Sequence, residues 1–220
     1  GAGWRVVLLH ANPGDSRDFD AVGPQLDAHY RVISLDWPGY GQSPPPAQPQ
    51  AASAMLFADV LQQVMQALNP GPAIFIGNSL GGFAAASLAI RQPEQVRALV
   101  LVSTGGFTTY NPFTGLFCKI KGREWVTKYT NGLLPRLYLR KKTPLAREMI
   151  ARSEASSPAA IAINAAVWRS FIHPEHDLRS RAQAIKAPTL VVSGQYDPII
   201  LATKDGRAAA AAIPGARQVI

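Results

Sequence analysis

The fold is decided by a short stretch between a predicted strand and a predicted helix, Gly77-Asn78-Ser79-Leu80-Gly81-Gly82. The strand covers residues 73–76, and the alanine-rich helix covers residues 80–91. Glycines two residues before and two residues after Ser79 permit a sharp turn with strained backbone at the serine. Its hydroxyl would then project above a sheet, beside a helix N-terminus that favours developing negative charge. The motif predicts a serine nucleophile or, as the alternative, a plain tight turn.

The sequence on both sides of this stretch alternates short β-rich runs with helical runs. Such alternation is typical of βαβ units and predicts an α/β fold, with a mostly parallel sheet flanked by helices. One predicted helix, 51–68, carries an apolar face at i, i+4 spacing made of Leu56, Val60, Val64 and Leu68. The predicted strands are residues 6–9, 30–35, 73–76, 96–103, 189–193 and 217–220, and the other predicted helices are 80–91 and 201–213.

The alternation stops between Gly105 and Ala187, where helical fragments are separated by glycine and proline and no strand-like run occurs. We interpret residues 105–187 as a helical cap inserted between two strands of one sheet. The predicted organisation is a first part of the core at 1–104, the cap at 105–187 and a second, incomplete part of the core at 188–220.

Length and composition indicate a globular chain of about one domain. The 220 residues are 47% hydrophobic and 16% charged, which excludes bulk disorder. The net charge of +8 is unevenly distributed. Residues 105–187 hold 14 of the 22 basic and 5 of the 14 acidic side chains, a balance of +9, and the remainder carries −1. The predicted cap is therefore basic, and the predicted core is nearly neutral.

Several classes of protein are excluded or disfavoured. A single cysteine, Cys118, excludes an intramolecular disulfide framework and a multi-cysteine zinc site. We predict no metal and no cofactor. No apolar run approaches the length of a membrane-spanning helix, and no signal peptide is visible, although upstream targeting sequence is not excluded. These features favour a soluble protein of the cytoplasm or an organellar stroma over a secreted one.

Three further loops follow predicted strands. His10-Ala11-Asn12-Pro13-Gly14 can aim a main-chain N–H at the space above Ser79, or it is an ordinary loop with His10 bonded locally. Asp36, after the second strand, is expected to cap its turn. Gly194-Gln195-Tyr196-Asp197-Pro198 places a carboxylate at the carboxyl end of a strand, where it could orient a histidine or cap the following segment.

With these loops in place, the chain resembles the α/β-hydrolase superfamily, in its serine-nucleophile branch with a helical cap. The resemblance implies that Ser79 is the nucleophile and Asp197 the triad acid, and that the main-chain amides of Leu80 and Asn12 form the oxyanion hole. It also implies that residues 105–187 form a lid over the pocket. Within the superfamily, the motifs are similar to those of meta-cleavage carbon–carbon hydrolases and of pheophytinase-like esterases.

The sequence departs from the family pattern at two points. Ala11 stands where the family usually has glycine, which weakens the assignment of Asn12. No histidine follows Asp197, although the family order is Ser, Asp, His. We expect an incomplete copy, with two strands missing before Val6 and the catalytic histidine beyond Ile220. The alternative is a pseudoenzyme.

The histidines that are present do not fit the role of base. His10 and His29 lie too early in the order, and His173 and His176 are expected to form a solvated or capping cluster rather than a substitute base or a metal site.

The expected function is that of a serine hydrolase acting on an ester or related acyl substrate through a Ser-Asp-His triad and an acyl-enzyme. The alternative is a non-catalytic binding protein on the same scaffold. The partner is expected to be a small molecule, anionic or hydrophobic, and not a nucleic acid. Peripheral membrane contact through Leu133 to Lys142 is a weaker possibility. Candidates for binding an anionic substrate are Lys119, Lys121, Arg123, Arg136, Arg140, Lys141 and Lys142, with a solvated surface as the alternative.

Overall fold

The computed structural model describes residues 3–69 and 71–220. The first two residues of the predicted 1–104 core part therefore lie outside the description. The strands are β1 (Arg5–Leu9), β2 (Arg31–Leu35), β3 (Ala73–Asn78), β4 (Val96–Val102), β5 (Thr189–Val192) and β6 (Arg217–Val219). They form a sheet in the order β2-β1-β3-β4-β5-β6, and all five pairings are parallel. The prediction of a mostly parallel sheet flanked by helices is confirmed.

The helices connect the parallel strands or lie between β4 and β5. They are α1 (Gly23–Asp27), α2 (Ala54–Leu68), α3 (Leu80–Arg91), α4 (Pro112–Lys121), α5 (Glu124–Thr130), α6 (Leu133–Tyr138), α7 (Pro144–Glu154), α8 (Pro158–Ser170) and α9 (Arg207–Ala212). Helices α4 to α8 all fall within residues 105–187, which we call the 105–187 segment. No helix in the described ranges is both long and apolar enough to cross a membrane.

Helix α2 shows how local signals set the ends of a helix while tertiary packing sets its buried face. The Ser53 hydroxyl accepts a hydrogen bond from Leu56 N–H at the start of α2, and Asn69 ends it in the left-handed conformation. The prediction of which face of α2 is buried is wrong. Leu68 is exposed, and the buried face is formed by Phe57, Leu61 and Met65. Both rows of side chains have helical spacing, so periodicity alone could not select between them.

The core lies between the sheet and the helices that cover it. Phe57 and Leu61 of α2 and Phe83 of α3 are fully buried together with Phe75 of β3. Helix α8 contributes Ile163, Ala166 and Val167 to the same apolar cluster, although it belongs to the 105–187 segment. The described part of this segment is therefore anchored to the core through α8.

The end of the chain differs from expectation in its helix. Residues 201–213 were predicted as one helix, but Ala202–Gly206 form a π-helical turn and only Arg207–Ala212 are α-helical. The Asp205 carboxylate accepts a hydrogen bond from Leu201 N–H at 2.7 Å, and Gly206 N–H also bonds to Leu201 O. These bonds hold the wider turn directly after the loop that contains Asp197.

Candidate active site

Ser79 occupies a strained turn between β3 and α3. Its φ and ψ are 52° and −106°, a region that serine rarely adopts. The main chain on both sides is held in place, since Ser79 N–H donates to Val102 O at 2.9 Å and Gly105 N–H donates to Ser79 O at 3.0 Å. The turn that the motif predicted is therefore present, with the serine at its apex.

The turn requires glycine at two positions. A Cβ on Gly77 would lie 2.4 Å from the main-chain carbon of Gly81, and one on Gly81 would lie 2.2 Å from Leu9 O. Both neighbours are backbone atoms and cannot rotate away. The spacing of the motif therefore follows from the close approach of α3 to β3 and β1.

The loops at the carboxyl ends of the strands share one cavity with the 105–187 segment. The cavity has a volume of about 1480 Å³, and its wall includes Asn12, Ser79, Leu80 and Asp197. The structure thus brings all four predicted site residues to one space. Leu80 is the first residue of α3, where a main-chain N–H has no acceptor within the helix.

Asp197 follows β5 and caps the chain that comes after it. Its Oδ1 accepts hydrogen bonds from Ile199 N–H at 2.9 Å and from Ile200 N–H at 3.0 Å. In the part of the chain that the structure describes, Oδ2 receives no hydrogen bond. One carboxylate oxygen therefore fixes the side chain, and the other is available for a further donor.

His10, after β1, is a structural residue. Its Nε2 accepts a hydrogen bond from Trp37 N–H at 3.1 Å, its Nδ1 lies 2.7 Å from Ala11 O, and its own carbonyl accepts from the Trp37 indole. Burial lowers the pKa of His10 to about 4, so the ring is neutral. The His10 side chain is thus bonded locally, and these contacts do not involve the main-chain amide of Asn12.

A chain of hydrogen bonds joins the His10–Gly14 loop to the 105–187 segment. The Tyr40 hydroxyl donates to Asn12 Oδ1 at 2.6 Å, and Asn12 Nδ2 donates to Asn164 Oδ1 at 2.9 Å. Asn164 Nδ2 donates to Asn131 Oδ1 at 2.6 Å. All four side chains line the cavity. This connection was not predicted, because residues 12, 131 and 164 are far apart in sequence and have no shared motif.

His176 differs from the prediction of a solvated or capping cluster, while its neighbour His173 is exposed as expected. The His176 ring lies between Phe83 and Phe171, with centroids 4.6 and 4.7 Å away. Its Nε2 is buried without a hydrogen-bond partner in the described structure, and it lies 3.3 Å from where a Cβ on Gly105 would be. Burial lowers the pKa of His176 to about 4, against the opposing charge of Asp177. A neutral imidazole therefore lines the cavity close to the Ser79 turn.

The basic side chains divide into those at the cavity and those at the surface. Of the seven predicted candidates, Lys121 and Arg140 line the cavity; Lys119, Arg123, Arg136, Lys141 and Lys142 do not. Lys121 is buried, and burial lowers its pKa to about 8. Arg140 stacks on the Tyr196 ring at 3.9 Å, beside the loop of Asp197.

Arg152 of α7 also lines the cavity, and sequence reasoning missed it. Its positive charge is neutralised by two carboxylates. The Arg152 Nε lies 3.2 Å from Asp15 Oδ2, and its Nη2 lies 2.5 Å from Asp18 Oδ1. Burial raises the pKa of Asp18 to about 6 despite this contact. Burial acts in the same direction on Asp15, but hydrogen bonds from Arg17 and the charge of Arg152 outweigh it and lower the Asp15 pKa.

Asp36 has the structural role that was expected. Its carboxylate accepts from Ser16 N–H at 2.7 Å and from Gln42 N–H at 3.0 Å, which ties two loops together outside the cavity wall. In the described ranges, no three His, Cys, Asp or Glu side chains are grouped closely enough to hold a metal ion.

Known proteins similar in sequence to this chain include an esterase and a carbamate hydrolase. A pimeloyl-[acyl-carrier protein] methyl ester esterase of Klebsiella pneumoniae is 36% identical over 99 residues, which are 45% of this chain and 36% of the esterase. RutD of another Klebsiella pneumoniae strain, named as a carbamate hydrolase, is 30% identical over 230 residues, which are 99% of this chain and 82% of the relative. The aligned region thus spans well under half of the esterase but most of RutD.

Solved structures of hydrolases are similar to this chain over its whole length. A hydrolase from Pseudomonas aeruginosa PA01 has a TM-score of 0.80 at 28% identity, with 100% of this chain and 82% of that chain covered. The enol-lactonase of Burkholderia xenovorans LB400 has a TM-score of 0.82 at 25% identity, with 100% and 83% covered. The model of the alpha/beta hydrolase fold family matches residues 5–220. This match, together with the parallel sheet and the serine turn after β3, shows that the chain belongs to the α/β-hydrolase family.

Proposed function

We propose that this protein is a serine hydrolase in which Ser79 attacks the carbonyl carbon of an ester or related acyl substrate. The observation that carries the proposal is the backbone of Ser79, a non-glycine residue held at φ 52° and ψ −106° at the edge of a large cavity. Strain of this kind costs about 1–3 kcal/mol and persists where the surrounding structure enforces it, which occurs most often at functional sites.

In the proposed reaction the Ser79 hydroxyl transfers its proton to a base as Oγ bonds to the carbonyl carbon. The resulting oxyanion would accept hydrogen bonds from the main-chain amides of Leu80 and Asn12. Loss of one such donor typically costs about 3–4 kcal/mol of transition-state stabilisation. Collapse releases the alcohol, protonated by the base, and leaves an acyl-enzyme. Water then repeats the sequence and releases the acid.

Asp197 is the proposed acid that orients the base. Its Oδ1 is held by two main-chain amides, and Oδ2 remains able to accept from an imidazole N–H. The family order implies that the base is a histidine beyond Ile220. His176 is the alternative within the described chain, because its Nε2 is unbonded near the Ser79 turn. A pKa of about 4 makes it a weak base at neutral pH, which favours the first assignment.

The substrate class is supported by what the relatives have in common. Their names refer to a methyl ester, a carbamate and an enol-lactone. Each of these has a carbonyl carbon bonded to a heteroatom that leaves. We therefore favour an ester or lactone over the carbon–carbon bond of the meta-cleavage hydrolases. A small-molecule substrate is consistent with a cavity of about 1480 Å³ whose wall includes Phe117, Trp168 and Phe171.

A serine-reactive fluorophosphonate tests the nucleophile. We expect it to label the protein, and we expect Ser79→Ala to abolish labelling. Ser103→Ala is the matched control, because Ser103 also lines the cavity and also has a positive φ, 39°. Persistent labelling of Ser79→Ala would refute the assignment. If the unmodified protein is not labelled but still binds esters, the alternative of a non-catalytic binding protein is favoured.

A second candidate function is contact with an anionic lipid surface. Helices α4 to α6 expose large apolar side chains that do not line the cavity; Tyr129 is 73% and Leu137 is 70% exposed. The others are Leu116, Ile120, Trp125 and Leu133. Exposed Lys119, Lys128, Arg136, Lys141 and Lys142 lie on or next to the same helices. An apolar surface with basic side chains around it matches a membrane with acidic headgroups.

Sedimentation with liposomes tests this second candidate. We expect binding to phosphatidylserine-containing liposomes that weakens with salt, and little binding to pure phosphatidylcholine. Replacement of Leu133 and Leu137 by serine should reduce it. Leu68→Ser, which changes an exposed leucine outside the 105–187 segment, should not. Equal binding to both liposome types, or none to either, would refute the candidate.

A further inference from the structure

Lys121 is a buried charge that the proposed reaction does not use. It is the last residue of α4 and is 4% exposed. Its Nζ donates to Thr130 Oγ1 at 2.5 Å and lies 5.9 Å from the centre of the Trp168 ring. Among residues 3–69 and 71–220, no carboxylate lies within 4.0 Å of it. The described protein thus encloses an ammonium group without an acidic partner.

Such an arrangement is unusual, because buried charges are normally paired. An ammonium has three donors, and Thr130 uses one of them. The other cations at the cavity differ from Lys121. Arg152 is neutralised by Asp15 and Asp18, and Arg140 is exposed and stacked on Tyr196. Lys121 therefore gives the cavity wall a buried positive charge that the described residues leave unneutralised.

This charge and Ser79 belong to the same cavity. The wall of this cavity also contains the hydrogen-bonded amides of Asn12, Asn164 and Asn131. Asn131 directly follows Thr130, the hydrogen-bond partner of Lys121. Phe117 and Trp168 form an apolar part of the wall near the lysine. A ligand with its ester carbonyl at Ser79 could therefore extend over apolar surface towards the ammonium.

We propose that Lys121 binds a free carboxylate on the substrate, so that the preferred ligand is the monoester of a dicarboxylic acid. The proposal rests on the proposed function for the ester end of this ligand. A single compact cation balances one negative charge, which fits a carboxylate better than a doubly charged phosphate. The Lys121 pKa of about 8 leaves most of the ammonium charged at neutral pH.

Binding to a Ser79→Ala background tests the proposal without turnover. Monomethyl esters of succinic, adipic and suberic acid are compared with their dimethyl esters by calorimetry. We expect the tightest monoester to bind more strongly than its dimethyl ester. Lys121→Met should weaken the monoester by at least about tenfold and leave the dimethyl ester within about twofold. Lys119→Met is the control, because Lys119 is exposed on the same helix and does not line the cavity.

A pH series gives a second readout that needs no substitution at Lys121. Monoester affinity should fall as pH rises through about 8, while dimethyl ester affinity stays constant. Cys118 also lines the cavity, and burial raises its pKa to about 11, so it stays a thiol over this range.

The proposal is overturned if the parent binds no monoester, if Lys121→Met leaves monoester binding unchanged, or if both ester types weaken equally. Failure of the fluorophosphonate to label Ser79 would instead refute the hydrolase function and leave the binding comparison intact.

Discussion

The strand ends and the 105–187 segment both form the cavity, but they are held by different kinds of interaction. Around Ser79 the main chain is fixed by hydrogen bonds to Val102 and from Gly105, and by the absence of any Cβ at Gly77 and Gly81. The 105–187 segment is instead joined to the core by side chains, through Arg152 to Asp15 and Asp18 and through Asn164 to Asn12. Among helices α4 to α8 it is α8 that also enters the apolar core, and the two ends of the segment add Phe107, Leu178, Ala182, Ile185 and Ala187. The strand-end half of the site, where we propose that the chemistry occurs, is thus held in place by main-chain contacts. The half in the 105–187 segment, where we propose that the substrate is recognised, is held mainly by side-chain contacts.

The largest expected effect tests the backbone half. Gly77→Ala should lower the free energy of unfolding by about 4 kcal/mol or more, because its Cβ would meet backbone atoms of α3. Gly132→Ala in the 105–187 segment should cost about 1 kcal/mol or less, because its Cβ would meet the flexible Glu154 side chain. Urea denaturation measures both. Gly23→Ala, with no atom within 4 Å of its Cβ, is the control. Equal losses at Gly77 and Gly132 would contradict the comparison.

A second prediction concerns pH and the imidazole between Phe83 and Phe171. A depressed folded pKa keeps His176 neutral, while the unfolded chain takes up a proton below its usual pKa of 6.5. The contribution of His176 to the free energy of unfolding is therefore fully present above about pH 6.5. As pH falls towards 4, the free energy of unfolding decreases by about 3 kcal/mol because of this group. His176→Phe keeps the ring packing and removes the titration.

The difference between unfolding free energies at about pH 7 and about pH 4 should shrink by a similar amount in His176→Phe. An unchanged difference would show that His176 is not buried as a neutral ring. His173→Phe is the matched control, since His173 is exposed and its replacement should leave the difference as it was.

The third prediction tests the side-chain half. Arg152→Met should lower the free energy of unfolding by about 2 kcal/mol, because it leaves Asp15 and Asp18 without their shared cation. Arg136→Met removes an exposed pair with Glu154 inside the segment and should cost less than about 0.5 kcal/mol. Thermal or urea unfolding distinguishes them. If the two substitutions cost the same, the contact of Arg152 with the core is not a significant tie.

The smallest expected effect is at the point where the two halves meet. Tyr40→Phe removes the hydroxyl that donates to Asn12 Oδ1 and should cost about 1 kcal/mol of stability. If the loop of Asn12 helps to stabilise an oxyanion, ester turnover should also fall by a few-fold without a matching rise in KM. Tyr129→Phe, at an exposed position, should change neither quantity. A fall in turnover with both variants would refute the link through Asn12.

The sequence predicted the main-chain half of this molecule well. The six strands and the turn at Ser79 follow from local signals, since glycine spacing and β-rich runs act over a few residues. The grouping of Asp197, Leu80 and Asn12 with Ser79 was instead implied by the resemblance to the α/β-hydrolase superfamily. The packing face of α2 did not follow, because two rows of apolar side chains have the same spacing and only the sheet selects between them.

The side-chain half was largely beyond prediction. Seven basic residues of the 105–187 segment were equivalent in sequence, and only the arrangement of α4, α5 and α8 buries Lys121. His176 was expected to belong to a solvated or capping cluster with His173, but its ring packs between Phe171 and Phe83, and Phe83 comes from a distant part of the chain. Burial of a polar group depends on tertiary contacts, and no short-range pattern encodes it.

The uneven charge of the chain also has a consequence for how fast ligands arrive. With +9 in the 105–187 segment and −1 in the remainder, the molecule carries a strong charge asymmetry, and residues of its positive part form much of the cavity wall. An anion diffusing towards the protein would be drawn to the 105–187 segment, and would be partly oriented before contact. Added salt shortens the reach of this field to about 8 Å at physiological ionic strength. Ionic strength would then govern the encounter rate of anionic ligands and leave that of neutral ones unaltered.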